Sequence, residues 1–414
     1  MNGWMGNLLR VNLTTKTSSI ESSEKYFKYI GGKGMANRIM YDEVPVGTDP
    51  AAPENKIVFA VGPNTGSSAP CSGRITISSL SPFTKYNAIV DAHMGGDTAV
   101  RMKNCGFDAM IIEGASDVPV YIYVNDDKIE IRDASHVWGK TTSDTTAILT
   151  KETDPSSNVV SIGPAGEALL NLSCVMTGIG HCGGGGLGKV FGSKKLKAVV
   201  FNGTKGTEIA DPERVVELNK YVIGDLMGSN NNHVVPTVAQ SWAEYDNKST
   251  RWTGHPGMTW GAAEGGPIDT GESAPGQPTL IGYRCQKAVF DHGAIAEKYT
   301  VKMTGCAMCP IRCYGSVFIP QMEKATGVVG SHANTCGAQN GFNLSALMTK
   351  FNDVEEEGDG KLIGSVYGAI LSDDLGLWEN YGELPATLKY FMKDDYKLMK
   401  QILTEEEFNA IGWS

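Results

Sequence analysis

Six short apolar runs rich in valine and isoleucine, Ile57–Val61, Ile75–Ile77, Met110–Ile112, Val120–Val124, Val159–Ile162 and Ala198–Phe201, constrain this chain most. Runs of that length bounded by Gly, Pro and Ser read as strands. Asn125-Asp126-Asp127, between Val120–Val124 and Lys128–Ile131, predicts a hairpin turn. The pattern changes near Asp211, where Asp211-Pro212-Glu213 offers a capping residue, a proline at the first helical position and an early acid. Helical periodicity recurs at Leu344–Phe351, Leu362–Leu371 and Tyr390–Ile402, and Thr404-Glu405-Glu406-Glu407 is a capping box opening one more helix. Between them, Ser229–Gly282 is dense in Gly, Pro, Asn and Trp and reads as a long loop or a surface insert. A β-rich first half followed by a mostly helical second half is the expected order.

The length of 414 residues asks for more than one core. Fifty glycines, well above the usual ~7%, carry no collagen period, so they are expected at turns and at close backbone approach to a large ligand. A formal charge of −10 without a basic stripe argues against nucleic acid. No apolar stretch reaches the ~20 residues of a membrane helix and the N-terminus lacks a leader pattern, so a cytoplasmic protein is expected. Nine cysteines, an odd number, fit a reducing compartment better than a disulfide framework.

Three of those cysteines, Cys306, Cys309 and Cys313, fall within eight residues. The spacing suits three corners of a [4Fe-4S] cluster whose fourth ligand comes from elsewhere. A structural zinc knuckle and three unconnected buried thiols are the competing readings.

Glycine clusters stand at Gly31–Gly34, at Gly95-Gly96 and at Gly183-Gly184-Gly185-Gly186-Leu187-Gly188, the last followed by Gly192-Ser193-Lys194-Lys195. Such loops expose backbone N–H groups to phosphates or heterocycle edges, and equally serve tight turns. None has the spacing of a dinucleotide fingerprint or a Walker loop. Asp373-Asp374-Leu375-Gly376-Leu377 is, by spacing alone, a helix C-terminus with a glycine stop.

In order, Tyr29–Gly34, Tyr41–Pro45, Pro53–Lys56, Gly62-Pro63 through Ser72-Gly73-Arg74, Gly185–Gly188 with Gly192–Ala198, and the cysteine motif resemble the aldehyde ferredoxin oxidoreductase family. The resemblance implies an α+β architecture: a β-rich pterin-binding domain of two packed sheets over residues 1–208, then a mostly helical domain over 209–414, truncated before a third domain. It implies two cofactors, a tungsten (or molybdenum) bis-pterin and a [4Fe-4S] cluster held by Cys306, Cys309 and Cys313. Arg74 would link cluster and pterin; a guanidinium fork suits that place better than a lysine. His93, Gly95 and Gly96 would meet one pterin, His93 being equally a structural residue. Gly183, Gly184 and Gly185 would line the cofactor, and Asp373, Gly376 and Leu377 would form a pterin motif. Glu323 falls near the family's metal pocket, where a carboxylate can accept a proton; a solvated glutamate beside Lys324 is the alternative.

Three departures from the family pattern stand out. Gly184 replaces an arginine common in relatives, Trp378 follows the Asp-x-x-Gly-Leu motif in place of a small or acidic residue, and the chain ends before a second such motif and the fourth cluster cysteine. Neither Cys285 nor Cys336 is favoured by spacing as a substitute. The implied reaction takes an aldehyde, or a related oxo substrate, and water to a carboxylate, with electrons leaving through the cluster to ferredoxin or a similar carrier; some relatives instead reduce aromatic thioesters. Trp242, Trp252 and Trp260 are candidates for varying the substrate pocket, or packing residues of the insert. A homo-oligomer is one option. The rival readings are a non-catalytic metal-binding or assembly subunit of the family and a zinc-stabilised structural protein.

Overall fold

The computed structural model describes residues 2–84, 86–178, 180–221, 300–309, 314–318, 320 and 370–378. The chain divides into two compact units, one comprising Met1–Gly224, Cys306–Pro310 and Asp373–Trp378 and the other the remaining residues.

Two six-stranded sheets build the first unit. In chain order the elements of the first sheet are β1 (Asn7–Asn12), β2 (Thr17–Ser22), α1 (Gly32–Glu43), β3 (Ile57–Ala60), β4 (Ile75–Leu80), β5 (Ile89–Met94), α2 (Thr98–Asn104) and β6 (Ala109–Glu113). Its strand order is β2-β1-β6-β3-β4-β5, with β1 and β6 parallel and the other neighbours antiparallel. The second sheet draws on β7 (Val120–Asn125), β8 (Lys128–Asp133), α3 (Thr142–Glu152), β9 (Asn158–Ser161), α4 (Pro164–Glu167), β10 (Val175–Thr177), β11 (Gly180–Cys182), α5 (Leu187–Ser193) and β12 (Leu196–Phe201). There the order is β11-β10-β9-β12-β7-β8, with β7 and β12 parallel.

Side-chain alternation sorts the strands into layers. Leu9, Val11, Ile57, Phe59, Met110 and Ile112 of the first sheet meet Val120, Ile122, Val124, Val199 and Phe201 of the second in one core. Phe59 packs edge-on against both Phe191 and Phe201, with ring centroids 6.2 Å apart in each case. The intervening residues of the first sheet, Leu8, Val58, Ala60 and Ile111, face Met35, Ala36, Ile39 and Met40 of α1. On the far side, Tyr121, Tyr123, Val159, Ala198 and Val200 face Leu149 of α3. The layers run helix, sheet, sheet, helix, and each of the six apolar runs forms a strand.

Local chemistry fixes several joints. The β7–β8 hairpin closes at Asp126-Asp127, with Asn125 opposite Lys128 and Asp126 at φ 51°. α6 (Pro212–Lys220) begins as the sequence predicts, the Asp211 carboxylate accepting from Arg214 N at 2.9 Å. The Gly31–Gly34 cluster opens α1: a Cβ on Gly31 would lie 2.5 Å from Val61 O, so the glycine lets the helix start against the end of β3.

In the second unit, β13 (Thr300–Thr304) and β14 (Tyr314–Val317) pair antiparallel. The helical patterns expected beyond residue 343 lie outside the described residues, except that 370–375 are helical. No described helix is long and apolar enough to cross a membrane.

Candidate functional site

β5 ends the first sheet, β11 begins the second, and these two edge strands meet. A Cβ on Gly180 would lie 2.9 Å from Gly95 O, so glycine is what allows the contact. Arg74 stands at the entry to β4 beside this seam, exposed, its Nη1 donating to His93 O at 3.0 Å. The His93 ring is held at both nitrogens, Nδ1 3.0 Å from Thr76 Oγ1 and Nε2 3.0 Å from Asp91 Oδ2. Asp91 also receives Lys33 at 3.1 Å and Asn37 at 3.2 Å. Burial raises the Asp91 carboxyl, but Asn37, Lys33 and His93 together hold it below the usual range.

His181, on β11, has an Nδ1 shut off from solvent and without a hydrogen-bond partner. Burial, with the positive charge of Arg74 added, pushes its pKa down to about 4, so the ring is neutral at pH 7. The neighbouring Cys182 thiol is pushed up by burial, against the pull of Arg74.

The cysteine turn docks at the same place. Ala307 N donates to Gly96 O at 3.1 Å, and Cys71 N donates to Met308 O at 2.9 Å. A Cβ on Gly73 would sit 2.4 Å from Ala307 O, so the Gly73-Arg74 step needs its glycine to receive the turn. Cys309 N donates to Cys306 O at 3.0 Å, which tightens the turn itself. Arg74, His93, Gly95, Gly96, Cys306 and Cys309 are therefore brought together at one end of the seam. Cys313, Glu323, Cys285, Cys336 and the three loop tryptophans lie outside the described residues. Among the described residues no three His, Cys, Asp or Glu side chains converge as a metal-ion site.

Asp373–Trp378 docks on the second sheet. Gly376, at φ 71°, stops the helix, its N donating to Asp373 O at 3.0 Å. Cys174 N donates to Gly376 O at 2.8 Å, Leu377 bridges Ser173, and Trp378 N donates to Leu172 O at 3.0 Å. Trp378 lies over the glycine run. A Cβ on Gly183 would fall 2.2 Å from Trp378 Cδ1, and one on Gly184 3.3 Å from Cη2. The two sequence departures, Gly184 and Trp378, are thus one feature, since the indole occupies space next to the backbone that a side chain at these positions would need. Gly184, Gly185 and Gly186 carry φ of 95°, 70° and 71°.

The lysines after this run are turned inward. Lys194 is fully buried, its Nζ donating to Pro53 O at 3.1 Å and Gly114 O at 2.9 Å, and burial lowers its pKa to about 8. Lys197, also buried, donates to Lys140 O and to Glu167. They tie loops together and are not presented to a ligand.

Sequence reasoning missed His181 and Cys71. A single histidine on a three-residue strand and a single cysteine in a Ser/Pro-rich turn carry no spacing signal.

Two packed sheets whose edge seam gathers a glycine-rich backbone, an arginine and a cysteine turn define a β-rich domain with a polar seam at one end. Residues 8–203 match the family model described as aldehyde ferredoxin oxidoreductase, N-terminal domain. Over residues 8–203 this chain is an N-terminal domain of the aldehyde ferredoxin oxidoreductase family. It is similar to the tungsten-containing aldehyde ferredoxin oxidoreductase of Pyrococcus horikoshii, 35% identical over 86% of this chain and 56% of the relative. That of Thermococcus kodakarensis is 34% identical over 85% and 55%. The aliphatic sulfonate oxidoreductase, WOR-like subunit, of Pyrococcus furiosus is 32% identical over 52% and 37%. Among solved structures, the active site complex BamBC of benzoyl coenzyme A reductase with 1,5-dienoyl-CoA matches at a TM-score of 0.70 and 25% identity, over 95% of this chain and 57% of that one. The chain spans about half the length of the tungsten relatives it matches.

The residues present fit the tungsten pterin that these relatives imply. The orphaned His181 Nδ1, the exposed Arg74 guanidinium and the glycine-lined edge of the seam are donors and acceptors suited to a polar, anionic heterocycle.

Proposed function

We propose that this chain forms the pterin- and cluster-binding part of a tungsten (or molybdenum) oxidoreductase that converts an aldehyde or related oxo substrate to a carboxylate and passes electrons to a ferredoxin-like carrier. The observation that carries this reading is the docking of the Cys306–Cys309 turn, through Ala307 N to Gly96 O, beside Arg74.

Arg74, Gly95, Gly96, His181, Gly183, Gly184, Gly185, Asp373, Gly376 and Leu377 would hold the two pterins, and Cys306, Cys309 and Cys313 the [4Fe-4S] cluster. When bound, the metal supplies the two-electron oxo chemistry and the cluster single-electron exit. Arg74 commits one N–H to His93 O and keeps the rest of its fork for anionic groups. Thr76 Oγ1 hydrogen-bonds one ring nitrogen of His93 and the Asp91 carboxylate lies 3.0 Å from the other, so the imidazole is held from both sides. His181, neutral at pH 7, offers Nδ1 without adding positive charge next to Arg74. Glu323 is proposed to accept the proton released as the aldehyde hydrate is oxidised.

The likeness to a benzoyl coenzyme A reductase complex supports a second substrate class, an aromatic thioester that is reduced. Anaerobic assays of the protein together with the chain that supplies any further part of its site would separate the two. Aldehyde-dependent reduction of ferredoxin supports the first reading; activity confined to thioester reduction supports the second. Neither activity in a preparation that carries tungsten, pterin and iron would sink both and leave the non-catalytic assembly subunit.

A further inference from the structure

Cys71 lies three residues ahead of Arg74, exposed, with its backbone in the left-handed region at φ 59°. Its Sγ is 3.7 Å from the Sγ of Cys309, a residue 238 positions away. Two backbone contacts keep the segments in register: Cys71 N on Met308 O at 2.9 Å, and the close approach of Gly73 to Ala307, whose O would lie 2.4 Å from a Cβ there. The neighbouring Ala307 N to Gly96 O bond anchors the same turn from the other side. Cys105, Cys174 and Cys182, in contrast, are buried. Sulfurs at this separation must close to the ~2.05 Å of a disulfide, and the backbone contacts on both sides hold the two segments together while they do so. A cysteine sulfur bonded in a disulfide has no thiolate to offer iron, so this pairing would compete with cluster binding.

We propose that Cys71 and Cys309 form a reversible dithiol–disulfide pair, in which the oxidised state takes Cys309 away from the metal centre. The oxidant is a low-molecular-mass disulfide, RSSR. The thiolate of Cys71, the more exposed of the two, attacks one sulfur of RSSR and expels RS⁻, leaving a mixed disulfide on Cys71. The Cys309 thiolate then attacks the Cys71 sulfur and expels the second RS⁻. The two protein thiols lose two electrons and two protons, and RSSR becomes two RSH. Reduction by an excess of thiol reverses both steps. The pairing stands on the geometry alone; its effect on metal loading rests on the reading of Cys309 as a cluster ligand.

The test uses the full chain without its cluster, equilibrated anaerobically at graded ratios of oxidised to reduced glutathione, alkylated, digested without reduction and analysed by mass spectrometry. A peptide joining Cys71 to Cys309 is expected, lost in Cys71→Ser and lost on reduction. Iron loading from ferrous ion and sulfide should then fall about tenfold in the oxidised wild type and be unchanged in oxidised Cys71→Ser. Separate alkylation or glutathionylation of both residues at every ratio would overturn the pair. A joined peptide with undiminished iron loading would overturn the loading effect and the ligand role of Cys309, while leaving the pair in place.

Discussion

At the scale of single residues, the contact between Trp378 and the glycine run is the most informative. Ala at position 183 needs space that Trp378 Cδ1 already fills at 2.2 Å. Gly183→Ala should cost about 1–3 kcal/mol by overpacking, and Trp378→Ala should recover most of that loss, a coupling that denaturant titration of the four forms of a double-mutant cycle would read. Additive single effects would mean that the two positions do not touch. Trp378 and Gly184 could each be read as unusual from the sequence, but their contact could not, because 194 positions separate them and only the docked helix end brings them together. Arg74, His93, Gly95 and Gly96 could be singled out as candidates from the sequence, since each belongs to a motif with order and spacing, and the structure brings their segments together. His181 could not be: its importance comes from an orphaned nitrogen and a nearby guanidinium, neither of which a sequence displays.

At the scale of elements, charge joins the polar strand β2 and helix α1 to the apolar strands β1 and β6. Arg10 of β1 meets Glu21 of β2 at 2.6 Å, Glu43 of α1 at 2.9 Å and Glu113 of β6 at 3.2 Å, while Lys56 meets Glu43 and Glu113 at 2.9 and 2.6 Å. Burial pushes the Glu43 carboxyl up, but hydrogen bonds from Arg10 and Lys56 outweigh it and hold the pKa at about 2. A carboxyl held below its unfolded value stabilises the fold above the unfolded pKa near 4.5 and loses that contribution as pH falls toward 2. Stability should therefore drop by about 2 kcal/mol over that window, and Glu43→Gln should flatten this part of the stability–pH curve. An unchanged curve in the variant would show that the network is not coupled to folding. β2 escaped the sequence reading for the same reason: Thr17–Ser22 is mostly exposed and polar, paired by backbone and by Arg10–Glu21, and shows no apolar run. Gly376 belongs at this scale too. Its φ of 71° and the 2.7 Å approach of a Cβ to Gly163 N make Gly376→Ala costly, by more than the ~1 kcal/mol of an ordinary glycine replacement. Limited proteolysis should then cut near Asp373–Trp378 sooner than in the wild type.

At the scale of the whole molecule, the layered order of the first unit follows from alternation in strands such as Ile57–Ala60 and Val120–Asn125, where successive residues face the inter-sheet core and a helix. Phe59 stands at its centre, fully buried between Phe191 and Phe201, and Phe59→Ala should cost about 3–5 kcal/mol in thermal or denaturant unfolding. A β-rich first half was legible because six of the twelve strands carry short runs rich in valine and isoleucine, and its division into two packed sheets was what the family resemblance implied. The seam between β5 and β11 was not legible, since β11 is three residues long and its meeting with Gly95 depends on an absent side chain at Gly180. That seam is where the account locates the cofactor.

Metal, sulfide and pterin analysis of anaerobically purified protein, in wild type and Arg74→Lys, tests that location most directly. The account predicts tungsten or molybdenum with pterin, iron and sulfide in the proportion of a [4Fe-4S] cluster, and a shifted spectrum of the reduced cluster in Arg74→Lys. Zinc alone, without pterin or iron–sulfur absorption, would contradict it.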